Sequence, residues 1–170
     1  KVVLVEEGPL KTSADFRDMQ EARAYRDLYQ GGGPGKATSD GAITILQGRS
    51  VGGSTTINWT SSFRTPEPTL KFWAAEHEVV GHSVEEMKPW FAMVEQRLNI
   101  APWAPAPNAN NSVLKLGCDK LGWESHVIPR NVKGCWASGY CGFGCPVNAK
   151  QSMLVSTIPE ALKNGATLIH

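Results

Sequence analysis

The chain has 170 residues, 41% of them hydrophobic, with 17 Lys and Arg against 16 Asp and Glu for a formal net charge of +1. That length and apolar content support one domain with a core and argue against disorder. The balanced, scattered charge offers no basic face for nucleic acid and no acidic tail, and no apolar run approaches the ~18 residues of a membrane span.

The chain opens with Lys1 directly against a hydrophobic run and has no initiating Met, so it reads as an excerpt of a longer protein. The lack of a leader then carries no information on compartment. Val2 to Val5 is a β-branched and Leu run that predicts a buried parallel strand, and it ends in Glu6 and Glu7. In doubly wound nucleotide-binding folds an acid at the end of the second strand accepts hydrogen bonds from ribose hydroxyls, which makes Glu6 the candidate; a solvated strand-end carboxylate is the alternative. The GxGxxG turn that such folds place about 20 residues earlier is absent from the sequence.

Residues 13 to 29 carry Phe16, Met19, Ala22 and Leu28 at near-helical spacing among many charges, which predicts a short surface helix. The glycine-rich stretch 31 to 35 lacks the Lys and Ser or Thr of a phosphate loop and reads as a flexible connection. Ala42 to Leu46 reads as a strand feeding the segment from Gly48 to Asn58. There, Gly52 and Gly53 remove side chains that would hold a ligand off. Ser54, Thr55 and Thr56 add hydroxyls at what reads as a helix N-terminus, where free N–H groups favour an anion. A plain loop or helix cap is the competing reading of the same turn.

Pro66 to Leu98 turns helical, with a capping box at Ser83 and Glu86. Trp90, Phe91, Val94 and Leu98 form a stripe expected to be core rather than a ligand site. Ala101 to Pro107 is too rich in proline to continue a helix and reads as an extended connector. Val113 to Leu121 predicts a short amphipathic helix stopped by Gly122, and His126 to Arg130 a strand. Near the end, 150 to 163 reads as a helix with Pro159 kinking it or marking a new start, and 166 to 169 as another parallel strand.

Cys135, Cys141 and Cys145 fall within eleven residues, among glycines that let the backbone wrap. Three clustered thiolates without a nearby fourth ligand suit an iron–sulfur cluster better than a structural zinc site; a disulfide or buried free thiols are the other readings. His77, His82, His126 and His170 are isolated, and no Ser or Cys motif makes any of them half of a nucleophilic pair.

The stretch from Gly48 to Trp59, with Phe63 and Pro66 after it, resembles the N-terminal motif of the glucose-methanol-choline (GMC) flavin-dependent alcohol oxidoreductases. One position departs, since the aromatic usual four residues after the Asn falls one later, at Phe63. Residues 1 to 9 resemble that family's second strand, and Gly144 to Ser152 a segment of one subgroup; the likeness is strongest over 1 to 9, 48 to 66 and 134 to 170. It implies an α/β fold, part of a Rossmann-like FAD-binding domain with an inserted, mostly helical substrate-domain or lid segment. The division would be 1–66 and 131–170 for the cofactor domain and 67–130 for the insertion.

The resemblance also implies FAD as cofactor, with Glu6, Gly52, Gly53, Ser54, Asn58 and Ser61 at its contact positions, and oxidation of an alcohol with hydride passing to flavin N5. No catalytic residue is expected in the chain, because the family's proton-abstracting His lies near the C-terminus of the full protein. The cysteine loop resembles those of bacterial FAD-dependent glucose dehydrogenases, where such residues carry a three-iron cluster, and of long-chain fatty alcohol oxidases. The first likeness implies an electron-relay subunit with Cys135, Cys141 and Cys145 as iron ligands and a cytochrome or quinone acceptor, periplasmic in setting. The second implies a plain flavoprotein, cytoplasmic or membrane-associated, and an inactive structural piece is the third alternative.

Overall fold

The computed structural model describes residues 1–33 and 36–170, the side chain of Lys36 excepted. The connection read over 31 to 35 therefore falls partly outside the described residues, at Pro34 and Gly35.

Two distant segments are joined by a parallel pair. Strand β1 (Val3–Val5) runs beside β6 (Thr167–Ile169) in register Val3 with Thr167, and Glu6 N extends the ladder by donating to Ile169 O at 2.9 Å. The strand is parallel as its sequence suggests, but it is not buried: Val5 is 77% exposed. A run of β-branched residues encodes extended backbone, while burial needs layers on both faces, and among the described residues only β6 pairs with it.

Residues 13 to 29 correct the expectation of one surface helix. They form α1 (Ser13–Phe16), opened by a Thr12–Asp15 capping box, and α2 (Glu21–Leu28). Phe16, Met19, Ala24, Leu28, Tyr29 and Ile57 make the buried cluster, with Tyr25, Tyr140, Phe143 and Leu154 packed on it. The charges that suggested a surface helix occupy only the outer side. After α2, a 3-10 turn (Gln30–Gly32) leads to a hairpin of β2 (Lys36–Ala37) and β3 (Thr44–Ile45), and Gln30 N bonds Gln47 O across its base.

The middle of the chain is helical with one small ladder. Helix α3 (Glu67–His77) and helix α4 (Val84–Arg97) precede β4 (Ile100–Pro102), which pairs antiparallel with β5 (Pro129–Asn131) around α5 (Ala109–Leu121). Ser83 caps α4 by the expected reciprocal bonds with Glu86, and Gly122 ends α5 in the left-handed region at φ +69°. The aromatic stripe of α4 is not core: Trp90 is 60% exposed and α4 buries no residue. Periodicity shows that a helix face is apolar without showing what covers it. Consistently, the chain exposes 11555 Å², against roughly 8,200 Å² for a compact monomer of its mass.

The last helix is shorter than read. Lys150 instead bridges to Val132, residues 153 to 156 form a turn, and α6 (Thr157–Lys163) begins just before Pro159, which sits in the first turn where its missing N–H has no partner to lose. No helix among the described residues is long and apolar enough to cross a membrane.

Candidate cofactor turn and cysteine cavity

The strand end and the glycine turn are brought against each other by Gly8. A Cβ on Gly8 would lie 2.3 Å from the carbonyl carbon of Arg49, so only glycine lets these backbones touch. Val51 N then donates to Pro9 O at 3.1 Å. Half-buried Glu6, whose Oε1 accepts from Gly8 N at 2.9 Å, is thereby held at the edge of the turn.

Within the turn the two adjacent glycines have different reasons to exist. At Gly52 (φ +95°) a Cβ would come within 2.6 Å of Thr56 Oγ1 and 3.0 Å of Leu154, so its missing side chain makes room inside the protein. At Gly53 (φ +55°) a Cβ would meet nothing within 4 Å. Gly53 is the position through which a ligand can approach the backbone.

The three hydroxyls following it diverge. Exposed Ser54 accepts from Gly48 N at 3.0 Å through Oγ, whereas Thr55 is tied to Gly52 O and Met153 N, and buried Thr56 to Val51 O. The expected helix N-terminus is a single 3-10 turn (Gly53–Thr56), too short for an accumulated dipole, so an anion here would be bound by local N–H groups. Asn58 is exposed, its Oδ1 accepting from Thr60 N at 3.3 Å, and Ser61 is exposed where its backbone bridges to Arg130. Ser50 Oγ, beneath the turn, is buried without a hydrogen-bond partner among the described residues.

Sequence reasoning missed Lys150. It is 2% exposed, and its Nζ donates to the main-chain oxygens of Thr56 (2.8 Å), Asn58 (2.7 Å) and Cys141 (2.6 Å), joining the glycine turn to the cysteine loop. Burial pushes its pKa down to about 8, while the sulfurs of Cys141 and Cys145 pull it up and Arg130 adds a further downward push. A Lys between Ala149 and Gln151 looks like any helix-surface cation in sequence. No local pattern marks it for burial.

Cys135, Cys141 and Cys145 line one cavity of about 170 Å³ with Trp59, Trp103 and Arg130. Arg130 is a second residue that sequence did not single out: it donates to Cys141 Sγ at 3.2 Å, to Thr60 Oγ1 at 2.7 Å and to Trp59 O at 3.2 Å, with its guanidinium 4.6 Å from the Trp103 ring centre. Cys145 Sγ accepts from Ala149 N at 3.2 Å, and all four thiols are free. No three His, Cys, Asp or Glu side chains among the described residues are gathered closely enough to hold a metal ion. The three thiols share one wall of that cavity.

Loop backbone explains this arrangement. Gly144 (φ +90°) lies flat on Phe16, where a Cβ would fall 2.3 Å from the ring, and Tyr29 Oη donates to Gly142 O at 2.8 Å. The loop is packed onto the N-terminal core from one side and pinned by Lys150 from the other. The four histidines are exposed, as their isolation in sequence suggests.

Residues 25–170 match the GMC oxidoreductase family. The chain is also 31% identical over 169 residues to a long-chain-alcohol oxidase of Arabidopsis thaliana, covering 99% of this chain and 22% of the relative. A second long-chain-alcohol oxidase of that plant is 32% identical over 169 residues, with 99% and 23% covered. An uncharacterized GMC-type oxidoreductase of Mycobacterium tuberculosis is 33% identical over 169 residues, with 99% and 27% covered. The chain belongs to the GMC oxidoreductase family, as its N-terminal, FAD-binding domain.

It spans about a quarter of the length of these relatives. FAD is the family's cofactor, and the residues present suit it. Gly53 leaves its backbone open, Ser54 and Asn58 turn polar groups to solvent, and Glu6 stands at the turn's edge.

Proposed function

We propose that this chain is the cofactor-holding part of an FAD-dependent enzyme that oxidises an alcohol to a carbonyl compound. The observation that carries the reading is the seating of Glu6 against the turn through Gly8, with Gly53 open beside it. In this reading the cofactor is held over residues 1–66 and 131–170 in a Rossmann-like arrangement. Residues 67–130 then supply an inserted substrate-side segment.

Glu6 holds the ribose by accepting from its hydroxyls, which a half-buried carboxylate does with charge-assisted bonds. Gly52 and Gly53 bring the main chain close to the cofactor, and Ser54, Asn58 and Ser61 offer hydroxyl and amide groups along it. The bound flavin supplies the hydride acceptor. Lys150 fixes the Thr56 and Asn58 carbonyls, so the turn is rigid before the cofactor arrives and less ordering cost falls on binding.

The alcohol class comes from two of the similar proteins, which are named long-chain-alcohol oxidases. The test is anaerobic addition of primary alcohols to the purified full-length protein. Bleaching of the oxidised-flavin band by an alcohol is expected. A protein that purifies without flavin, or a flavin that no alcohol bleaches, removes the proposal.

A further inference from the structure

The cavity behind the cofactor turn holds sulfur chemistry that alcohol oxidation does not use. Cys135, Cys141 and Cys145 line it together with Arg130 and Lys150, and all three are free thiols that are only half-buried. Its volume of about 170 Å³ admits a solute of a few heavy atoms.

The three sulfurs differ in what points at them. Cys135 Sγ accepts from Ala137 N at 3.4 Å, and Cys145 Sγ from Ala149 N at 3.2 Å and Lys150 N at 3.5 Å, all of them neutral main-chain donors. Cys141 Sγ instead accepts from Arg130 Nη2 at 3.2 Å, a donor that carries positive charge. A charge-assisted bond is about twice as strong as a neutral one, so the guanidinium singles out Cys141 as the sulfur best placed to react as an anion.

That guanidinium is held in place. Its Nε donates to Thr60 Oγ1 at 2.7 Å, Nη2 also reaches Trp59 O at 3.2 Å, and the Trp103 ring lies 4.6 Å from its carbon. A second cation stands on the other side, since Lys150 Nζ donates to the main-chain oxygen of Cys141 itself at 2.6 Å. Reactive cysteines occupy partly exposed, electropositive surroundings of this kind, whereas structural ones lie inert in apolar cores.

We propose that Cys141 is a modification site for small hydroperoxides, which oxidise its thiol to a sulfenic acid inside this cavity. With hydrogen peroxide, a sulfur lone pair attacks one peroxide oxygen, and the S–O bond forms as the O–O bond breaks. Sulfur gives up two electrons, and the departing oxygen takes the thiol proton and leaves as water. Arg130 is the positioning residue that holds the sulfur as an acceptor. No flavin takes part, so this assignment and the alcohol-oxidising reading fail separately.

The test exposes the full-length flavoprotein to hydrogen peroxide with dimedone present to trap sulfenic acid. Mass spectrometry follows each cysteine as the adduct, or as the disulfide that a sulfenic acid makes with a nearby thiol. Cys141 is expected to oxidise about tenfold faster than Cys118, which is also half-buried but lies on α5 outside this cavity. Arg130→Gln should slow Cys141 by about tenfold and leave Cys118 unchanged, with flavin content reporting whether the variant folds. In Cys141→Ser, Cys135 and Cys145 should stay reduced over the same interval.

Equal rates at Cys141 and Cys118 overturn the assignment, as does a Cys141 rate that Arg130→Gln does not alter. Oxidation of Cys135 or Cys145 at an unchanged rate in Cys141→Ser overturns it too. Iron that purifies with the full-length protein and is lost in Cys141→Ser would do the same, because a sulfur bonded to iron is not open to peroxide.

Discussion

Lys150 Nζ lies 2.7 Å from the main-chain oxygen of Asn58, 92 residues away in sequence, and the bond ties the last residue of the glycine turn to the segment after the cysteine loop. With the bonds to Thr56 and Cys141 it gives the ammonium three carbonyl acceptors, one for each N–H. Burying a cation is costly, and here the cost is offset by satisfying oxygens that would otherwise face one another without a donor.

Replacing Lys150 by Met therefore leaves three inward carbonyls without a donor. Each buried acceptor left without a donor costs about 1 to 3 kcal/mol, partly offset because the ammonium's own desolvation cost disappears, so a net loss of about 3 kcal/mol is expected. Urea unfolding of the full-length protein measures this. A midpoint equal to that of the unaltered protein would show that the tripod of bonds contributes nothing net.

The adjacent glycines of the turn should separate in their effects. Gly52→Ala drives a methyl into Thr56 and Leu154 and is expected to cost about 2 to 4 kcal/mol of stability. Gly53→Val meets open space in the protein, with about 1 to 2 kcal/mol of backbone strain at its positive φ. Its main consequence is loss of bound flavin from a folded protein. Circular dichroism with flavin content distinguishes the two, and a Gly53→Val protein holding a full complement of flavin would place the turn away from the cofactor.

Glu6→Ala in the full-length enzyme should weaken FAD binding by about two to four orders of magnitude, as expected for loss of two charge-assisted hydrogen bonds worth roughly 1.5 to 3 kcal/mol each. Glu6→Gln keeps one acceptor and should fall between. Titration of apoprotein with FAD gives the constants, and equal affinities across the three proteins would return Glu6 to an ordinary strand-end carboxylate.

The contact of the cysteine loop with the core predicts a large effect from a small change at Gly144. A methyl there would overlap the Phe16 ring at a backbone φ of +90°, so Gly144→Ala should destabilise by about 2 to 4 kcal/mol. Thermal unfolding checks it. A shift of less than a degree would mean that the loop moves aside freely and that its packing on Phe16 is incidental.

Local sequence was sufficient for the features that depend on near neighbours along the chain. The capping box of Ser83 and Glu86, the stop at Gly122, the run from Val3 to Val5 and the clustered glycines at 52 and 53 all act through backbone groups a few residues apart, so their residue types carry the signal. The resemblance of Gly48 to Trp59 to a flavin-binding motif belongs to the same short-range information, and the family followed from it. Tertiary structure alone decided which apolar faces became core and what each site residue touches. Phe16 and Met19 are buried while Trp90 is exposed, although both sets show helical spacing, because burial depends on the element that arrives opposite. Gly52 faces inward and Gly53 outward only because Leu154 packs on one side of the turn. Lys150 is buried only because three carbonyls, from residues 56, 58 and 141, converge on it. Such convergence is set by the path of the whole chain, and no window of sequence contains it.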